Sequence, residues 1–155
     1  MFPIALSSQT LADVAPGAEI SDILNGTQPG NFGWLTWAGS PSEQTLLASL
    51  TGNGNSYTYV DPSDPNNNQI VMGGWIQGKP GVSNSKKVRD ALHALEGKII
   101  SVPVWDITTG EGNNSLYRVV GFAQVQITGY YLPNQNMISV IFLDYVSCGG
   151  VNPPT

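Results

Sequence analysis

The sequence predicts an α+β, β-dominated fold: a single domain over 1–155 with a mixed or antiparallel sheet, a long C-terminal β-hairpin and one or two short helices. Three observations predict it. The chain has 155 residues, 41% of them hydrophobic, which is enough for one core and too little for two. Only 11% are charged, less than half the share of an average soluble domain. Gly, Pro, Asn, Ser and Thr take their place, and these suit turns and strand surfaces better than helix surfaces. Finally, the C-terminal half carries long β-branched and aromatic runs separated by turn residues.

Taken in order, residues 1–8 form a short apolar start, expected to be loosely held, and Ser/Asp/Gly turn signals follow to about Gly30. Gln28-Pro29-Gly30-Asn31 then turns into the aromatic segment Phe32-Gly33-Trp34-Leu35-Thr36-Trp37. Ser42–Leu50 reads as a short helix, with Pro41 near its start, Leu46, Leu47 and Leu50 on one face, and Gly52 after the last turn. The stretch from Gly52 to Gln69 is turn-rich. Ile70–Met72 and Trp75–Ile76 read as one strand interrupted by Gly73-Gly74 at a bulge. A helix is predicted from about Asn84 to Glu96, with Val88, Ala91, Leu92 and Leu95 as its apolar stripe, Ser83 or Asn84 as cap and Gly97 as stop. Lys98–Trp105 is a strand whose Pro103 places it near an edge or bulge. Leu116–Tyr131 is a long strand in which Tyr117, Val119, Gly121, Ala123, Val125 and Ile127 form the core face, an alternation blurred by Val120 and Phe122. Pro133–Asn136 is expected to turn it back along Met137–Val146, and 148–155 is expected to be a flexible tail.

The net charge is −5, and four of the six cations lie between Lys79 and Arg89, where a solvated helix face explains them. Nucleic-acid binding needs clustered Lys/Arg against phosphates, so no nucleic-acid partner is expected. No 18-residue apolar run is present, and Met1 is followed at once by Phe2–Leu6 without the basic n-region of a secretory signal. Cys148 is the only cysteine and His93 the only histidine. One thiol makes neither an internal disulfide nor a CxxC pair, and Cys148 sits in a Gly-flanked tail with nothing to activate it. His93 falls beside the apolar stripe of its helix and reads as a surface or boundary residue, because a base needs an oriented partner. No GxSxG elbow presents a serine, and Gly78-Lys79-Pro80-Gly81 lacks the spacing of a phosphate loop. No catalytic residue is assigned.

Two features are candidate binding elements. Asp61, Asp64, Asn66 and Asn68, in the run Asp61–Asn68, supply oxygens of the kind calcium takes. The same run departs from EF-hand spacing and is equally a solvent-exposed turn. Thr109–Asn114, with Asp106 and Glu111, is a weaker version of the same pattern. Among the tryptophans Trp34, Trp37, Trp75 and Trp105, the pair Trp34 and Trp37 could stack on a sugar or a partner protein, or could anchor the core. Being three apart on a strand they point to opposite faces, which would leave one exposed. The sequons Asn25-Gly26-Thr27 and Asn113-Asn114-Ser115 also occur.

Several motifs stand in register along nearly the whole chain: Pro3–Leu6; Pro29-Gly30-Asn31-Phe32-Gly33-Trp34-Leu35; Gly78-Lys79-Pro80-Gly81-Val82 before Val88–Leu92; Val102-Pro103-Val104-Trp105-Asp106; Gly110 and Gly112–Asn114 followed by Tyr117–Ala123; and Ile127–Tyr130 with Leu132. This pattern resembles the region after the membrane anchor in TadE/TadG-like proteins of tight-adherence (Flp) pilus systems. The resemblance implies a bacterial cell-surface or pilus-assembly role through protein–protein contacts. It also implies a periplasmic or cell-surface location, attachment to the membrane only through an N-terminal helix of the parent chain, no cofactor and no catalysis. Met1 is then expected to be an added start on a piece of a longer protein, and a partner for Cys148 would lie upstream of Phe2. A binding module for calcium or surface glycan is the alternative expectation.

Overall fold

A computed structural model describes residues 1–28, 30–38, 41–51, 58–79, 86–131 and 137–146. The predicted class is the observed one: among the described residues, seven strands form one mixed sheet accompanied by three α-helices. The strands are β1 Ile4–Ser7, β2 Glu19–Leu24, β3 Phe32–Thr36, β4 Trp75–Gly78, β5 Ile99–Thr109, β6 Leu116–Tyr131 and β7 Met137–Tyr145. The helices are α1 Ser8–Leu11, α2 Glu43–Thr51 and α3 Lys86–Leu95. Their order across the sheet is β2-β7-β6-β4-β3-β1-β5, and β5 pairs again with β6. The pairings β6–β4–β3–β1–β5–β6 therefore return to their start. Five strands close a barrel, and β7 and β2 extend the sheet from the C-terminal half of β6.

The first residues are not loose, which corrects the expectation for 1–8. β1 is an apolar run flanked on both sides, antiparallel to β3 (Ile4↔Trp34, Leu6↔Phe32) and parallel to β5 (Leu6↔Val104). All four of its residues are buried. The buried Ser7 hydroxyl accepts from the backbone N–H of Gln9, capping α1, and from that of Gly30. β2 lies where the Ser/Asp/Gly signals before Gly30 predict turns, and only Ile23 is buried in Glu-Ile-Ser-Asp-Ile-Leu. It is an edge strand with a bulge: Ile20 and Ile23 face Val140 and Ile138, and Asp22 lies at φ +61°. Acidic side chains and a bulge are how natural sheets blunt an open edge.

The helices follow their sequence signals. Ser42 and Thr45 cap α2 reciprocally: Thr45 N–H donates to Ser42 Oγ at 3.1 Å and Ser42 N–H donates to Thr45 Oγ1 at 2.9 Å. Leu46 and Leu50 are buried against the sheet. Ser49 Oγ donates to the Thr45 carbonyl and accepts from Trp37 N–H, which ties the helix to the end of β3. On α3, Val88, Leu92 and Leu95 are buried, and Gly97 ends it at φ +80°, its N–H donating to Ile127 O. Ser83, Asn84, Gly52, the turn 133–136 and the tail 148–155 lie outside the described residues. The strand predicted across Ile70–Ile76 starts only at Trp75. Val71–Gly74 is a turn, and Gly73 N–H and Gly74 O bond to Val119 instead.

Two apolar clusters occupy the two faces of the strands. The larger contains Ile4, Leu6, Phe32, Trp34, Val102, Val104, Ala123, Val125 and the buried helix residues. The smaller contains Ala5, Leu35, Trp37, Tyr59, Ile70, Ile76, Trp105, Tyr117, Val119 and Phe122. β6 does not keep one face to one cluster, as its alternation suggested. Trp105 pairs with Val119 and Val104 with Gly121, so Val120 is an extra residue, a β-bulge. Before it, Tyr117 and Val119 enter the smaller cluster; beyond it, Ala123, Val125 and Ile127 enter the larger one and Phe122 the smaller. Val120 and Phe122 blurred the pattern because the phase of the strand changes there.

Tyr117 is seated by glycines on two neighbouring strands. A Cβ at Gly78 would lie 2.5 Å from Tyr117 Cε2, and a Cβ at Gly33 would overlap the ring near its hydroxyl. Gly33→Ala should therefore destabilise by about 1–3 kcal/mol through overpacking. Combining it with Tyr117→Leu should cost clearly less than the two single changes added together. Urea denaturation of the four proteins checks this; strict additivity would mean that the ring does not rest on Gly33.

Candidate functional site

The barrel's loops border a half-open cavity of about 310 Å³ lined by Asn25, Gly26 and Thr27 after β2, Gly78 and Lys79 at the end of β4, and Gly110, Glu111, Gly112 and Ser115 between β5 and β6, together with Tyr117. This lies at the lower end of the size range of small-molecule sites. Its walls are fixed by the backbone. Gly26 N–H donates to Phe32 O, Gly78 N–H to Ser115 O and Lys79 N–H to Trp34 O. Gly110 has φ +77°, and a Cβ there would strike the Asn114 carbonyl, so the β5–β6 loop closes only with glycine at that position. Ser115 Oγ donates to Gly112 O at 2.9 Å, holding the 3-10 turn Gly112–Asn114 against the cavity. Tyr117 is 5% exposed, and burial pushes its phenol up to about 12, so the hydroxyl is protonated at neutral pH.

The residues singled out from sequence are distributed elsewhere. Trp34 and Trp37 do point to opposite faces, but both faces are covered and both indoles are buried, at 0% and 1% exposure. This corrects their reading as interaction aromatics: they are core anchors, Trp34 edge-on to Phe32 at 5.2 Å and Trp37 edge-on to Tyr59 at 6.5 Å. The Asp61–Asn68 run is a turn standing on two buried residues, Tyr59 and Ile70. Tyr59 hydroxyl donates to Trp75 O. Asp61 Oδ1 accepts from Ser63 N–H and Oγ, its Oδ2 accepts from Asn67 Nδ2, and Asp64 Oδ1 accepts from Asn66 N–H. Both carboxylates thus close the turn on itself, while Asn66 and Asn68 are exposed. Among the described residues, no three His, Cys, Asp or Glu side chains gather as a metal site. His93 is exposed on α3, with Glu96 3.9 Å away. Cys148 lies outside the described residues.

The tightest charged contact is one that sequence reading split between two features. Asp106, grouped with the Thr109–Asn114 loop, is bonded by Arg118 on the adjacent strand: Nε to Oδ1 at 3.0 Å and an NH2 nitrogen to Oδ2 at 2.6 Å. The pair sits where β5 gains a residue against β6, between the Trp105↔Val119 and Thr108↔Tyr117 pairings. The bulge turns Asp106 onto the fork of the guanidinium, a bidentate geometry. The hydrogen bond from Arg118 holds the Asp106 carboxyl below its ordinary value. Cavity residues such as Lys79, Glu111 and Tyr117 were not assembled from sequence, because they come from three loops and a strand interior. The only local sign was the density of glycine in the segments that carry them.

The chain matches no family model, no curated protein and no solved structure. Among the described residues, no helix is long and apolar enough to cross a membrane.

Because the folded Asp106 pKa lies below its unfolded value, the stability its pair contributes is fully present above about pH 3.9 and is lost as pH falls through the depressed value. Asp106→Asn should lower the melting temperature at pH 7 by about 2–4 °C, and parent and variant should converge toward pH 3. A gap that stayed constant from pH 7 to 3, followed by circular dichroism, would assign the loss to packing instead.

Proposed function

We propose that this chain is a non-catalytic structural and interaction domain of a bacterial cell-surface or Flp/Tad pilus-assembly protein, working outside the membrane through protein–protein contacts. One observation carries this reading: the motifs behind the TadE/TadG resemblance are each other's structural partners. Gly33 and Gly78 come from two separate motifs, and both seat Tyr117, which belongs to a third. Asp106 ends one motif, and Arg118 in another grips it. Phe32, Trp34, Val102, Val104 and Ala123 meet in one cluster. Such a motif set specifies a rigid barrel and its loops, which is what a domain presented for docking requires.

The exposed surface fits that use. The chain is poor in charge, so docking would bury Asn, Thr, Gln and Ser groups that can exchange hydrogen bonds without the cost of desolvating ion pairs. His93 stands apart from the cavity residues, on α3.

The test is binding of the purified chain to the purified extracytoplasmic portions of the other pilus components from the same bacterium, by biolayer interferometry. Affinity in the micromolar range or tighter for at least one component is expected. Deleting the gene should also reduce assembled pili. The reading fails if no component binds and piliation is unchanged. It also fails if chelator lowers the melting temperature or a surface glycan binds instead, outcomes that belong to a calcium or carbohydrate module.

A further inference from the structure

The loop cavity has a property that a docking scaffold does not need. Lys79 and Glu111 both line it, yet neither forms an ion pair among the described residues. Tyr117 lines it too, 5% exposed, and its hydroxyl makes no hydrogen bond among the described residues. Among the described residues the buried side-chain atoms left without a partner are Trp34 Nε1, Thr36 Oγ1, Trp37 Nε1 and Trp105 Nε1; the Tyr117 hydroxyl is not one of them and keeps access to solvent. Here Gly33 and Gly78 are kept free of side chains so that it can occupy that position. Thr27 adds a hydroxyl on the opposite loop.

We infer that this cavity is a binding site for a small zwitterion of amino-acid size, whose carboxylate meets the Tyr117 hydroxyl and the Lys79 ammonium and whose ammonium meets Glu111. Each assignment follows from donor and acceptor type. Lysine only donates, ionised glutamate only accepts, and a phenol held protonated by burial donates. A carboxylate takes two donors with its two oxygens, and charge-assisted bonds of this kind are the strong ones. The cavity volume of about 310 Å³ suits a compact ligand and sits near the roughly 300 Å³ floor for ligand pockets. The site does not depend on the assembly role, since the isolated chain contains all of it.

Isothermal titration of the whole chain with glycine, L-alanine, L-serine, L-glutamine, L-glutamate and L-lysine tests the inference, with N-acetyl and carboxamide derivatives as blocked forms and glucose and N-acetylglucosamine as neutral probes. At least one free amino acid should bind, and blocking either end should weaken it about tenfold or more, the worth of one charged hydrogen bond. Tyr117→Phe keeps the ring on its glycines and removes only the hydroxyl. It should weaken binding about tenfold with an unchanged circular-dichroism spectrum. Lys79→Met, near the rim, should do the same without the risk of disturbing the core. The inference is overturned if no amino acid binds at about 10 mM, if only the sugars bind, or if folded Tyr117→Phe and Lys79→Met both bind as the parent does.

Discussion

One strand constrains the rest of the molecule. The sixteen residues of β6 are bonded to β5 along one edge and to β4 and then β7 along the other. Those partners place apolar clusters on both faces of the strand. A strand whose side chains alternate strictly would feed each cluster with one parity throughout. The first half of β6 must put Tyr117 and Val119 into the smaller cluster, whereas the second half must put Ala123, Val125 and Ile127 into the larger one. Only a change of parity meets both demands, and the extra residue at Val120 supplies it. The bulge also bends the strand, which is how a sheet curves enough to close into a barrel.

The second bulge, on β5, ties this architecture to the chemistry at the mouth of the barrel. It swings Asp106 under Arg118 and leaves β5 and β6 in register for Thr108↔Tyr117 and Thr109↔Leu116, after which the chain turns through Gly110–Ser115. The cavity walls are thus held in place by strand register, ion pairing and glycine contacts. α2 and α3 supply none of its lining; they cover the larger cluster on the sheet.

Much of the fold was legible in the sequence because its strongest signals are local. The stripe Val88, Leu92 and Leu95, the short helix near Ser42–Leu50 and the β-rich run 116–131 all appear as read. What escaped needed a third dimension. β2 carries two acids and one buried isoleucine because it is an edge, and an edge strand presents little of the pattern by which strands are recognised. β1 looked like a loose start, since four residues cannot reveal that a neighbour waits on each side. Trp34 and Trp37 were placed on opposite faces correctly, but a sheet with two covered faces leaves no exposed side for either. The cavity was the least legible feature, because Tyr117 reads as an ordinary core aromatic until Gly33 and Gly78 are seen beneath it.

The extra residue at Val120 gives this chain one place inside a paired strand where its length can change. In most surface loops, losing or gaining a residue changes only the loop. At Val120 a single-codon deletion would make Trp105↔Val119 and Val104↔Gly121 consecutive pairs, so every later side chain would keep its face and only the bulge and its bend would be lost. In a regularly paired stretch the same loss would turn the residues beyond it to the opposite face. Related sequences can therefore keep the faces of β6 with or without this residue, and what they lose without it is the curvature that helps close the barrel.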